Sequence, residues 1–91
     1  MKHAGPQALD ASEDVLAAVR RYAALRERSR GVFYAGPKAF LHFHEDEAGL
    51  FADLRTGGEW TRRRVVTELE RRAFLRAVQA AVGLLPQRPR R

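Results

Sequence analysis

The sequence predicts an α+β fold: an N-terminal helix, a four-stranded antiparallel meander and a C-terminal helix, with both helices on one face of the sheet. Two observations carry this prediction. Stretches with capping residues and apolar side chains at three- and four-residue spacing stand at either end of the chain. Between them lie four short runs rich in aromatic and branched residues, separated by three turn signals.

The elements follow in order. Residues 1–9 form a flexible arm, 10–85 a single α+β domain and 86–91 a basic disordered tail. In "ASEDVLAAVRRYAALRERSRG" Ser12 is the capping residue, and Glu13 and Asp14 favour the positive end of the helix dipole. Arg26, Arg28 and Arg30 favour the negative end, so the helix is expected to run to Gly31, burying Val15, Ala18, Val19, Tyr22 and Leu25. The runs "GVFY", "AFLHFHE", "GLFADLR" and "EWTRRRVV" are the strands, broken by "AGPK", "EDEAG" and "TGG". The closing helix opens at "TELE", where Thr67 and Glu70 have the spacing of a capping box, and Phe74, Val78, Val82 and Leu85 form its apolar stripe. Gly83 and Pro86 end it.

Composition narrows the class. A chain of 91 residues supports one core, and 45% hydrophobic content is enough to offset the entropy of ordering it. No cysteine is present, which excludes disulfides and thiolate metal sites and implies a reducing, cytoplasmic setting. The start, "MKHAGPQALDASEDV", lacks the apolar region of a leader, and no apolar run approaches the roughly 18 residues of a membrane span. The formal charge is +6, carried by 15 arginines against only Lys2 and Lys38. Such an excess points to an anionic partner.

Strand alternation decides which residues share a surface. An even turn at 45–48 places Leu41 and Phe43 with Leu50, Ala52 and Leu54, and leaves His42 and His44 with Phe51, Asp53 and Arg55. An odd turn mixes the two sets, so apolar matching selects the even one. A two-residue turn at Gly57–Gly58 then brings Val65 inward and Trp60, Arg62 and Arg64 outward. The same counting across "AGPK" places Val32 and Tyr34 in the core and Phe33 beside Phe40 on the outer face. The predicted uncovered face is therefore Phe33, Phe40, His42, His44, Phe51, Asp53, Arg55, Trp60, Arg62 and Arg64. Arg63 falls on the core side, where it needs an edge to snorkel from or a bulge.

Four readings of this face compete. The leading one is a homodimer or protein-interaction surface, in which the aromatics are buried and arginines stack on rings or pair with a partner's carboxylate. The alternative is single-stranded nucleic acid or another anionic ligand, because bases stack on exposed rings while arginines take phosphates. The His-x-His spacing with Asp53 opposite makes His42, His44 and Asp53 weak candidates for a metal, disfavoured by the nearby Arg62. Catalysis by the same three residues lacks a nucleophile on the face, and no glycine-rich phosphate loop is present. The residues call for no cofactor, and the balance leans against an enzyme.

From Phe33 to about Val82 the succession of "FLHFH", an acidic turn, "LFADLR", a tryptophan-led strand and a helix resembles small bacterial luciferase-domain-like proteins. The "GPKAF" turn is similar to the G-K-x-F turn of YjbR-type domains, which begin with a helix, run a short antiparallel sheet and finish with a helix. The resemblance implies an α+β sheet domain and assigns no reaction to particular residues.

Overall fold

The computed structural model describes residues 2–86, and the basic tail expected at the C-terminus lies, apart from Pro86, outside them. The chain is α+β. Its elements are β1 (Lys2–His3), α1 (Pro6–Ala11), α2 (Glu13–Arg20), β2 (Arg26–Ser29), β3 (Val32–Ala35), β4 (Lys38–Asp46), β5 (Gly49–Thr56), β6 (Glu59–Arg64) and α3 (Glu68–Gly83). The sheet has the order β2-β3-β4-β5-β6, every pair antiparallel, with β1 added to β4. No described helix is long and apolar enough to cross a membrane.

The strand count corrects the predicted four to six, and both additions come from sequence assigned elsewhere. β2 lies in "RERS", which was expected to be the last turns of the first helix. That helix stops at Arg20 because the next residues are used differently. Arg20 reaches back to Glu13 and forward to Glu27, and Glu27 accepts the Gly31 backbone N–H at 3.0 Å. These bonds fix a reversal at Arg30–Gly31, where Gly31 has φ +80 and an added Cβ would meet Leu9 Cδ2 at 2.8 Å. The segment expected as a loose arm carries β1 and α1. Ala4 and Leu9 are buried with the core, and the Gly5 N–H donates to the Glu45 carboxylate.

One edge of β4 is shared by two strands. Val32 pairs with His42, then the Phe43 N–H donates to Gly31 O and the Phe43 carbonyl accepts from the Ala4 N–H, each at 3.1 Å. His3 and Lys2 then pair with His44 and Glu45. The N-terminus therefore continues the sheet where β3 leaves it.

The core is one cluster. Val15, Leu16 and Val19 of α2 and Phe74, Val78 and Ala81 of α3 pack with Leu41, Phe43, Leu50, Ala52 and Leu54 of the sheet and with Val65 just beyond β6. Phe43 and Phe74 meet edge to face at 5.9 Å. The predicted capping box is formed: Thr67 Oγ1 accepts the Glu70 N–H at 3.1 Å and Glu70 Oε1 accepts the Thr67 N–H at 2.9 Å.

Phe33 and Phe40 also belong to this core, with 1% and 2% of their surfaces exposed. This corrects their predicted place on the outer face. The cause is a β-bulge: Phe33 pairs with Leu41 and Tyr34 with Ala39, so Phe40 has no partner of its own. The extra residue turns Phe40 and Leu41 inward together. It also reverses β3, so that Val32 and Tyr34 stand half-buried on the side opposite the helices, not in the core.

Candidate functional site

The face opposite the helices is built mainly by β4, β5 and β6. His42 lies across from Asp53 as expected, and the Gly57–Gly58 turn sets Asp53 across from Arg62, Arg55 from Trp60 and Phe51 from Arg64, whereas the first turn is only Glu47–Ala48 in place of the expected 45–48, so that His44 lies across from Phe51 with the two faces unchanged. The turns explain why. Glu47–Ala48 and Gly57–Gly58 are both two-residue connections, which preserve the alternation, and positive φ at Gly49, Gly57 and Gly58 lets the chain reverse tightly. Arg63, opposite Ala52, sits on the outermost strand and is exposed there, which answers the question its register raised.

At the centre, four side chains form a network. His42 Nδ1 and His44 Nε2 are 2.8 Å apart, and His44 Nε2 is 3.1 Å from Asp53 Oδ2. Asp53 thus meets His44 on the diagonal in addition to facing His42 in register, as a twisted sheet allows. Arg62 closes the far side with a fork: Nε donates to Oδ1 at 2.7 Å and NH2 to Oδ2 at 3.0 Å. The Asp53 side chain keeps only 13% of its surface exposed. His44 Nδ1 is buried and has no hydrogen-bond partner among the described residues. All the polar contact of that ring is concentrated at Nε2.

The electrostatics follow from this packing. The bond from Arg62 holds the Asp53 carboxyl below its ordinary value, against a smaller upward push from burial, with the nearby histidines adding to the lowering. His42 is pushed down, chiefly by burial and next by the His44 charge, and Asp53 only partly compensates. Both effects favour the neutral form of the His42 ring. Arg62 and Asp53 cancel one another, while Arg55 has no carboxylate within ion-pair distance among the described residues.

Around the network lie the rings. His42 packs on Trp60 with centroids 4.8 Å apart, and the Arg55 guanidinium lies over the Trp60 ring at 4.7 Å. Trp60 remains 42% exposed. Arg64, beside Phe51, turns toward α3 and binds Glu70 at 3.2 Å. Eight of the ten predicted site residues therefore share one surface, and the two buried phenylalanines do not.

Besides Val32, three residues on this surface were not foreseen: Tyr34, Arg28 and His3. Tyr34 is brought out by the bulge and is covered by the Arg28 guanidinium at 4.2 Å. His3 arrives with β1, directly across from His44. The adjacent apolar pair Phe40–Leu41, which interrupts an otherwise alternating strand, is the sequence signal for the bulge. Nothing comparable announces β1.

Comparison with known proteins adds no family: no family model, curated protein or solved structure matches this chain.

Proposed function

We propose that the open sheet face binds single-stranded nucleic acid. The observation that carries this reading is the Trp60 ring, partly exposed and backed by His42, with Arg55 laid across it and Arg62 and Arg64 following on the same strand. Tyr34 with Arg28 repeats the pairing of ring and cation at the other side of the sheet. Bases stack on such rings, and the guanidiniums are within reach of the phosphates that join them. Asp53 does not repel the strand because Arg62 already neutralises it.

The homodimer expected from the sequence draws less support from this surface. With Phe33 and Phe40 buried, Trp60 is the one large apolar residue of the face left widely exposed, whereas stable interfaces need an extensive apolar centre.

Trp60 is the only tryptophan, so its emission reports directly on stacking. A labelled single-stranded oligonucleotide titrated into the protein is expected to quench Trp60 and to bind with log affinity falling against log salt. The slope is about −0.7 for each phosphate that a guanidinium takes. Trp60→Ala should weaken binding by about 1–3 kcal/mol. Affinity that ignores salt and survives loss of Trp60 refutes the proposal. So does a clean, nucleic-acid-free dimer by native mass spectrometry whose open face no longer accepts the oligonucleotide.

A further inference from the structure

We propose that His42, His44 and Asp53 together hold a divalent transition-metal ion of the zinc class. This goes beyond the nucleic-acid reading and does not depend on it. One ring nitrogen from each histidine and one Asp53 oxygen all lie within 4.8 Å of one another. The observed separations of 2.8 Å and 3.1 Å compare with the ~3.3 Å between neighbouring donors of a tetrahedral zinc with bonds of about 2.0–2.1 Å. Small shifts bring these two separations to that value, and the third pair, His42 with Asp53, starts within 4.8 Å and closes by turning side chains on paired central strands.

The donor set is chemically apt. Two imidazoles and a carboxylate suit zinc and its neighbours and do not suit the all-oxygen ions magnesium and calcium. His44 Nε2 faces both other donors at once, and a single proton there leaves one of those two contacts weak. An ion at the same position satisfies all three.

Arg62 is the apparent obstacle, and its geometry shows how it is accommodated. Its shorter bond runs from Nε to Asp53 Oδ1, while the oxygen facing His44 is Oδ2. If NH2 releases Oδ2, the carboxylate binds the ion through that oxygen and still accepts from Arg62 through the other. Outer-shell bonds of this kind orient ligating carboxylates in metal sites. Half of the Arg62 side chain is exposed, so the movement meets no packing. His3 stands across from His44 on β1. It is a neighbour of the site and not one of its three ligands.

The test uses the full chain, metal-free, with no nucleic acid present, so its outcome leaves the preceding proposal standing or falling separately. Zinc is titrated by calorimetry, and cobalt by the visible absorption that marks a four- or five-coordinate site. One equivalent is expected, with a raised melting temperature. His42→Ala and His44→Ala should each abolish the cobalt band, and Asp53→Asn should weaken zinc by about 10- to 100-fold, the range typical of perturbing a ligand shell. His3→Ala should retain both signals. Circular dichroism of each variant checks that the fold persists. Should a variant unfold, the ring signals of the wild-type histidines decide: zinc must move His42 and His44 ahead of His3. No binding, binding that survives the His42→Ala and His44→Ala changes, or binding lost only with His3→Ala overturns the assignment.

Discussion

Replacing Phe40 with alanine tests the feature that decides the chemistry of the open face. Phe40 is 2% exposed, and truncating a buried phenylalanine costs about 3–5 kcal/mol in transfer and cavity energy. A domain of this length has a total stability of roughly 5–14 kcal/mol, at ~0.05–0.15 kcal/mol per residue, so the change removes about a fifth of it or more. At about 4–8 °C per kcal/mol, the melting temperature should fall by at least ~12 °C. Phe51, half-buried on the open face, is the companion variant. Its truncation should cost only about 1 kcal/mol, the centre of the range for point changes. Urea unfolding of both variants, followed by far-UV circular dichroism, provides the comparison. If Phe40→Ala costs no more than Phe51→Ala, the bulge does not turn Phe40 inward, and the reasoning that strips the open face of its apolar centre fails with it.

Two other outcomes follow from local structure. Thr67→Ala removes one arm of the capping box at the start of α3 and should lower stability by about 1 kcal/mol, read as a shift in urea midpoint at unchanged slope. The Glu27 carboxyl is pushed up by burial, but the bonds from Arg20 and from the Gly31 N–H more than offset this and leave it below its ordinary value of 4.5. Because its folded pKa is depressed, its stabilisation is complete above that value and is lost as pH falls through the folded pKa. Glu27→Gln should therefore cost about 1 kcal/mol at pH 7 and almost nothing in strong acid, a difference that urea midpoints measured across pH will show.

The central hairpins were readable from sequence because each turn is two residues long and each strand alternates cleanly, so one choice of parity fixed the positions of His42, His44, Asp53, Arg55, Trp60, Arg62 and Arg64 together. The capping box was equally plain. β2 was not, since "RERS" has no branched or aromatic residue and carries the charge pattern of a helix end. Its strand conformation rests on Glu27 bonding to Arg20 and Gly31, contacts between segments that local propensity does not see. Phe33 and Phe40 were misplaced for a related reason. Alternation carries no information across an inserted residue, and every position upstream of the bulge inherits the error. β1 depends wholly on the edge of β4 left free beyond β3, and two residues of sequence hold no sign of that.

The outermost strand, β6, has a further bearing on how the molecule behaves in a crowded solution. All six of its residues are exposed, and as the last strand of the sheet it presents an unpaired row of amides and carbonyls to any other extended chain. Arg63 stands guard along that row, since Arg62 and Arg64 are paired with Asp53 and Glu70 and a second β6 would set its own Arg63 against this one. That guard belongs to the edge of the sheet and stands apart from the ring-and-cation pairs of its open face. Removing that charge, as in Arg63→Ala, takes away the guard against edge-to-edge pairing of two sheets.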